Sequence, residues 1–291
     1  MNRESSAQVL QLSDGRRLGY AEYGAPDGRP LFFLHGTPGA RLMARFAHPV
    51  ALRHGIRLVA PERPGYGLSD FQPGRRIDQW PEDVAALADR LGLGRFALAG
   101  VSGGGPYVAA CAHRWPERVD VAGIVSGVGP LDDPVIRAAF SAAQRRALGV
   151  VSKAPWAVRP LLALPVGVVR RRPLQALDLI TPYEPPADRA VLARPEVRAA
   201  VVDDLREALR QGSRAVLDDL RLFGEPWGFR LEDIKVPVEL WHGEQDAQVP
   251  VGVGRQVARR LPDCRARFLP DAAHLWLFDH CEEVLTTLSP A

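Results

Sequence analysis

Lysine is nearly missing from this chain. Only Lys153 and Lys235 occur, so arginine carries almost all of the positive charge, a bias we attribute to a GC-rich genome rather than to a ligand. The 37 basic and 34 acidic residues are interspersed and leave a formal net charge of +3. The pI of about 9.0 therefore marks no nucleic-acid surface. Cysteine is scarce as well. Cys111, Cys264 and Cys281 are far apart, form no CxxC pair, and are expected to be reduced thiols in a cytosolic protein. Long hydrophobic runs are lacking too. The N-terminal Met1 to Ser6 reaches Val9 and Leu10 without the apolar stretch of a signal peptide. The most apolar long segment, Pro155 to Val169, contains Arg159, Pro160 and Pro165 and is too short to span a bilayer. These three residues break the apolar run, and it reads as a lid or pocket wall.

Cofactor signatures are absent as well. No glycine precedes either lysine, so there is no phosphate-cradling P-loop. Gly92-Leu93-Gly94-Arg95-Phe96-Ala97 matches G-x-G-x-x-A but ends a helix and precedes a strand, opposite to the order that holds a pyrophosphate. No H-E-x-x-H or clustered Cys/His pattern marks a catalytic metal. Arg170-Arg171-Arg172 reads as a solvated face. No cofactor, metal, nucleic acid or membrane partner is expected.

What is present is a packed, soluble composition, 46% apolar and 24% charged over 291 residues. Leu31 to Leu34, a helix near Leu42 to His54, and Arg57 to Ala60 set up a βαβ rhythm. Val84, Leu87, Ala88 and Leu91 fall at i, i+3, i+4 and i+7 behind Pro81, which predicts a helix with one buried face. Phe96 to Ala99 is a continuous apolar run, as a strand covered on both faces requires, followed by a helix to about Trp115. Val119 to Val125 supplies another strand. From Leu131 to Gly224 the patterns are helical only. Strands resume at Val236 to Trp241 and Arg265 to Leu269, with helices near Gly252 to Leu261 and Leu275 to Leu288. The predicted domains are an α/β core over 1–128 and 229–291, interrupted by a helical cap over 129–228.

The sharpest motif is Gly100-Val101-Ser102-Gly103-Gly104, a G-x-S-x-G pentapeptide between a buried strand and a helix. A nucleophile on so tight a turn has no room for side chains two positions away, hence Gly100 and Gly104. The backbone N–H of Gly103 would face the oxyanion formed when Ser102 attacks a carbonyl. A second donor is expected from His35-Gly36-Thr37-Pro38-Gly39, and we nominate the N–H of Thr37. An isolated G-x-S-x-G is usually only a glycine-rich connection; the strand before it, the helix after it and the upstream loop argue for a nucleophile.

A serine hydroxyl needs an imidazole base and a carboxylate to orient that base. His274 and Asp246 follow the last two predicted strands and give the chain order Ser, Asp, His. His48, His54, His113 and His280 lie in helices. His242 and His35 read as structural, His35 steadying its loop by hydrogen bonds. For the acid, Glu244, Asp132 and Asp133 remain competitors of Asp246.

These segments, with Arg63-Pro64-Gly65-Tyr66-Gly67-Leu68-Ser69-Asp70, resemble the bacterial α/β-hydrolase superfamily over nearly the whole chain. The resemblance implies an α/β fold with a mostly parallel eight-stranded sheet flanked by helices and an inserted helical cap. It also implies the roles given to Ser102, Asp246, His274, Thr37 and Gly103. Haloalkane dehalogenases and epoxide hydrolases carry aspartate where Ser102 stands. Prolyl aminopeptidases carry His-Gly-Gly-Pro-Gly and a tryptophan after the serine, where this chain has Thr37 and Gly103. Carbon–carbon bond hydrolases usually show a longer glycine-rich oxyanion loop.

The expected activity is hydrolysis of a carboxylic ester or related acyl compound, on a small and apolar substrate. The cap would supply Leu, Val, Ala and Trp side chains to the pocket, Trp156 and Trp227 among the candidates, although core packing suits each tryptophan better. The alternatives are a proline-type aminopeptidase, in which Glu184 or Glu225 would bind the substrate ammonium, a carbon–carbon bond hydrolase, and, last, a non-catalytic binding protein.

Overall fold

The computed structural model describes residues 7–290. Its centre is one eight-stranded sheet in the order β1-β2-β4-β3-β5-β6-β7-β8. The strands are β1 (Gln8–Gln11), β2 (Arg17–Gly24), β3 (Arg29–Leu34), β4 (Ile56–Pro61), β5 (Phe96–Val101), β6 (Val119–Val125), β7 (Val238–Gly243) and β8 (Cys264–Leu269). From β4 to β8 all neighbours run parallel; β2 pairs antiparallel with β1 and β4. The α/β fold with a mostly parallel sheet is therefore as expected, and the antiparallel β1–β2 pair is an addition, since the strand signals read from the sequence begin at Leu31.

Strand alternation sorts the apolar residues into two layers. Phe32, Leu34, Phe96, Leu98, Ala122 and Ile124 face a cluster shared with α2 (Trp80–Arg90), α3 (Gly105–Arg114) and α11 (Val251–Arg260). Leu31, Phe33, Ala97, Ala99 and Val125 face the other cluster, shared with α1 (His48–Arg53) and α12 (Leu277–Leu288). Burial on both faces is why β5 reads as an unbroken apolar run. Phe32 and Phe96 meet with centroids 4.7 Å apart, a tilted pair worth about 0.5–1.5 kcal/mol beyond its burial. Small residues let α12 approach: a Cβ on Gly123 would stand 2.4 Å from a Leu288 methyl.

Between β6 and β7 the chain runs through helices α4 (Pro134–Arg137), α5 (Ala142–Lys153), α6 (Pro155–Arg171), α7 (Pro173–Ile180), α8 (Pro186–Leu192), α9 (Pro195–Ala208) and α10 (Arg214–Phe223). No strand interrupts them among the described residues. Pro160 and Pro165 lie inside α6 rather than ending it. Each proline deletes a single backbone donor, and the neighbouring turns carry the helix across. The segment expected as one helix near Leu42 to His54 is instead a 3-10 stretch, Arg41–Ala47, followed by α1, whose Pro49 occupies the first turn. No described helix is long and apolar enough to cross a membrane.

Candidate active site

Ser102 follows the last residue of β5 and opens the turn into α3, with φ of +53°. A side-chain-bearing residue in the left-handed region is costly and persists only where its surroundings impose it. The glycines explain how. A Cβ on Gly104 would lie 2.3 Å from the Leu34 carbonyl oxygen, and one on Gly100 would lie 2.5 Å from a Val108 methyl. β3, β5 and α3 thus crowd the turn so closely that no side chain fits at either position.

His274 and Asp246 meet as the sequence predicts. The separation between His274 Nδ1 and Asp246 Oδ2 is 2.7 Å, both residues are buried, and Asp246 Oδ1 accepts the N–H groups of Gln248 and Val249 at 2.9 and 2.8 Å. This network places the imidazole proton on Nδ1 and leaves Nε2 as the free base. Burial opposes a charge on His274, but the Asp246 carboxylate and its hydrogen bond, backed by Asp188 and Glu184, outweigh it and raise the histidine above its ordinary value. Ser102 and His274 line one cavity of about 360 Å³.

The competing residues lie elsewhere. Glu244 is paired with Arg255, and Asp133 caps α4 and is paired with Arg260. His242 is buried, with Nε2 2.7 Å from the Val249 carbonyl oxygen. His35 accepts the Arg63 N–H at Nε2, and its Nδ1 lies 2.8 Å from the Gly36 carbonyl oxygen. Burial and the Arg63 charge push it well below the ordinary histidine range, so it stays neutral and braces its loop as expected. Thr37 and Gly103 stand side by side: a Cβ on Gly103 would fall 2.3 Å from Thr37 Oγ1.

Three carboxylates of the inserted helices reach this site, and sequence reasoning assigned a role to none of them. Asp188 of α8 accepts the backbone N–H groups of His274 and Leu275 at 3.1 and 2.7 Å. Asp204 of α9 accepts the N–H of Ala40, just beyond the Thr37 loop. Asp219 of α10 is fully buried. It receives Thr37 Oγ1 at 2.7 Å, Tyr66 and Tyr107 hydroxyls at 2.8 and 2.5 Å, Arg63 at 2.9 Å and Arg75 at 2.6 Å. Burial disfavours its charge, but the two guanidiniums and the hydroxyl donors hold it well below the usual carboxylate range. Arg63 also donates to the carbonyl oxygens of His35 and Gly36. The conformation of the loop that carries Thr37 is thereby tied to an ion pair with α10.

A signal for these carboxylates exists in the sequence. Asp219 sits between Ala215 and Leu222, and Asp204 between Val197 and Ala208, each at helical spacing on an otherwise apolar buried face. An acid on such a stripe has to find partners.

The pocket lining agrees in part with expectation. Val169, Leu177, Leu192, Val201 and Leu209 come from the stretch between β6 and β7, but so do Glu184 and Asp204. No tryptophan or alanine is in the lining among the described residues. Trp227 packs in the core with Leu222 and Phe223, and the Trp156 side chain lies outside the described residues. Glu225 is paired with Arg221.

A parallel-sheet core with a strained serine at a strand-to-helix turn defines an α/β-hydrolase, and the chain belongs to that family: the α/β-hydrolase fold model matches residues 29–280. Among relatives, it is 38% identical over 126 residues to a non-heme chloroperoxidase of Streptomyces lividans, a match covering 42% of this chain and 45% of that protein. The chain thus spans under half the length of that relative. It is 26% identical over 265 residues to a bifunctional esterase/perhydrolase of Acinetobacter calcoaceticus, covering 87% of each. Among solved structures, an esterase from a Rhodococcus species superposes with a TM-score of 0.69 at 22% identity over 98% of both chains, a likeness of fold.

Proposed function

We propose that this hydrolase cleaves a carboxylic ester or related acyl compound through an acyl-serine intermediate, beneath a cap formed by residues 129–228. The observation that carries the reading is the buried Asp246–His274 pair opening on the same cavity as the strained Ser102. In this mechanism His274 Nε2 takes the Ser102 hydroxyl proton as Oγ attacks the substrate carbonyl carbon. The oxyanion is met by the N–H groups of Thr37 and Gly103. The tetrahedral adduct collapses, the leaving alcohol departs with the proton from Nε2, and a water activated by the same nitrogen releases the acid and restores Ser102.

The test is intact-mass analysis after exposure to a fluorophosphonate, which phosphonylates activated serines. One adduct on the wild type, absent in Ser102→Ala, is the expected result; an unlabelled wild type, or labelling that survives the substitution, removes the nucleophile.

The histidine also sets a pH dependence. Only neutral His274 can accept the proton, and its raised pKa means that the neutral form is lost at a higher pH than for a free histidine. The acid limb of kcat/KM should therefore bend above the ordinary value near 6.5. In Asp246→Asn the limb should move down while kcat falls by on the order of 10³ to 10⁴-fold, as the orienting charge is lost. A limb that stays in place would remove Asp246 from this role.

A second reading, a proline-type aminopeptidase, draws its support from Glu184 on the cavity wall. Turnover of proline naphthylamide in preference to esters would favour it.

A further inference from the structure

We propose that the site accepts neutral acyl substrates and rejects carboxylate-bearing ones, with Glu184 as the specificity-determining residue. This inference rests on the serine-hydrolase reading and adds the charge class of the substrate to it.

The argument begins with the shape of the space around the nucleophile. Two cavities meet at Ser102, Thr37 and Gln248, which line both. The smaller, about 150 Å³, is walled by Val128, Leu131, Phe140, Leu148, Leu220 and Phe223, with no ionisable side chain in its lining. The larger, about 360 Å³, is apolar along Met43, Phe46, Leu209 and Phe278 but carries the carboxyl groups of Glu184 and Asp204. Among the described residues no lysine or arginine lines either chamber. His274 is the one group there able to carry positive charge, and Asp246 already answers it.

A substrate anion therefore has no favourable orientation. In the smaller chamber it would be stripped of water against aliphatic and aromatic walls, where the polar side chains of the lining, Ser102, Thr37 and Gln248, are uncharged and do not fully replace the lost hydration. In the larger chamber it would face Glu184 in a medium that screens poorly, so like charges add repulsion to the same desolvation. Asp204 cannot relieve this, because its carboxyl is engaged by the Ala40 N–H and offers no positive charge in either protonation state. Glu184 is only half-buried, so its carboxyl has access to the substrate; burial, ahead of the nearby Asp188, raises its pKa above the ordinary value, against a hydrogen bond from Gln248 and the charge of His274. The arriving charge would thus be the worst-matched feature of any ligand in this pocket. A neutral chain of equal length brings no charge to be desolvated or repelled.

The experiment compares three activated esters of one acyl length: 4-nitrophenyl hexanoate, the mono-4-nitrophenyl ester of adipic acid, and the same adipate with its free carboxylate blocked as a methyl ester. The wild type should turn over the hexanoate and the methyl-blocked adipate with similar kcat/KM. The free carboxylate should lower kcat/KM by on the order of 10²-fold or more, the effect of desolvating a charge beside a like charge. In Glu184→Gln, shown to be folded by its unfolding midpoint, the ratio between blocked and free adipate should shrink by about tenfold, since a like-charge contact is replaced by an amide that can donate.

Equal turnover of free and blocked adipate by the wild type would overturn the proposal and leave the hydrolase reading intact. A ratio unmoved in Glu184→Gln would overturn the assignment to Glu184. Loss of both adipates together would make length, not charge, the selected property, and would overturn the proposal as well. Turnover of none of the three esters would overturn the serine-hydrolase reading on which it rests.

Discussion

Ester turnover by Ser102→Ala is expected to fall by on the order of 10³-fold or more, about 4 kcal/mol of transition-state stabilisation, with little change in the unfolding midpoint. The substitution removes the atom that would form the acyl bond and little else. The Asp246–His274 hydrogen bond of 2.7 Å does not depend on the serine hydroxyl, and the glycines at 100 and 104 that hold the turn remain. Alanine also keeps the left-handed backbone strain of the serine, so the folded state is neither relieved nor further loaded. Residues acting as one unit are grossly non-additive. His274→Ala should therefore cost about as much as Ser102→Ala, and the double variant scarcely more than either. Two independent, multiplying losses would mean that the pair does not work as a nucleophile and its base, whatever their shared cavity suggests.

The parts of the fold legible in the sequence are those buried on two sides. β5 and β6 announce themselves as apolar runs because both faces meet helices, and α2 because its apolar positions keep helical spacing behind Pro81. β2 did not stand out. Its stretch Arg17–Gly24 carries Gly19 and Glu22 among the apolar residues, and its burial does not alternate cleanly. Gly19 is there because Glu62 and Leu68 press against it: a Cβ would fall 2.4 Å from Glu62 Oε2, a tertiary requirement with no local signature.

The candidate site divides in the same way. Ser102, Asp246 and His274 could be picked out because each sits in a loop directly after a recognisable strand, where this architecture gathers its reactive groups. The proposed oxyanion donors Thr37 and Gly103 followed from the same logic. Asp188, Asp204 and Asp219 did not, because they sit in an arginine-rich helical stretch where acids ordinarily form solvated ion pairs, as Asp203 does with Arg45 and Asp178 with Arg198. What separates the two groups is the helical face. The buried acids share a face with apolar residues, whereas their ion-paired, more exposed neighbours do not.

That distinction has a measurable consequence at Asp219. Asp219→Asn is expected to lower stability by roughly 3–5 kcal/mol, the range for breaking a buried ion pair by removing one partner. Urea unfolding should show a lower midpoint at an unchanged slope. The reason is what remains behind. Arg63 and Arg75 are almost wholly buried, and without the carboxylate both guanidiniums lack their main counter-charge, although Arg75 keeps Asp218. An amide is the right shape but can accept at only one end, while five side chains donate to the two carboxylate oxygens. Among those five donors, Thr37 is the one that also carries a proposed oxyanion N–H. Its side chain and Arg63 together hold the His35–Thr37 loop against Gly103, so its release should loosen the proposed oxyanion donors and lower kcat more than it raises KM. Asp219 would then be a positioning residue, and Thr37→Ser, which keeps the hydroxyl, should retain more kcat than Thr37→Val, which loses it. Wild-type turnover in Asp219→Asn together with a lowered midpoint would make the ion-pair hub a scaffold only. An unchanged midpoint would mean that the two arginines find other partners and that the cluster contributes little to the fold.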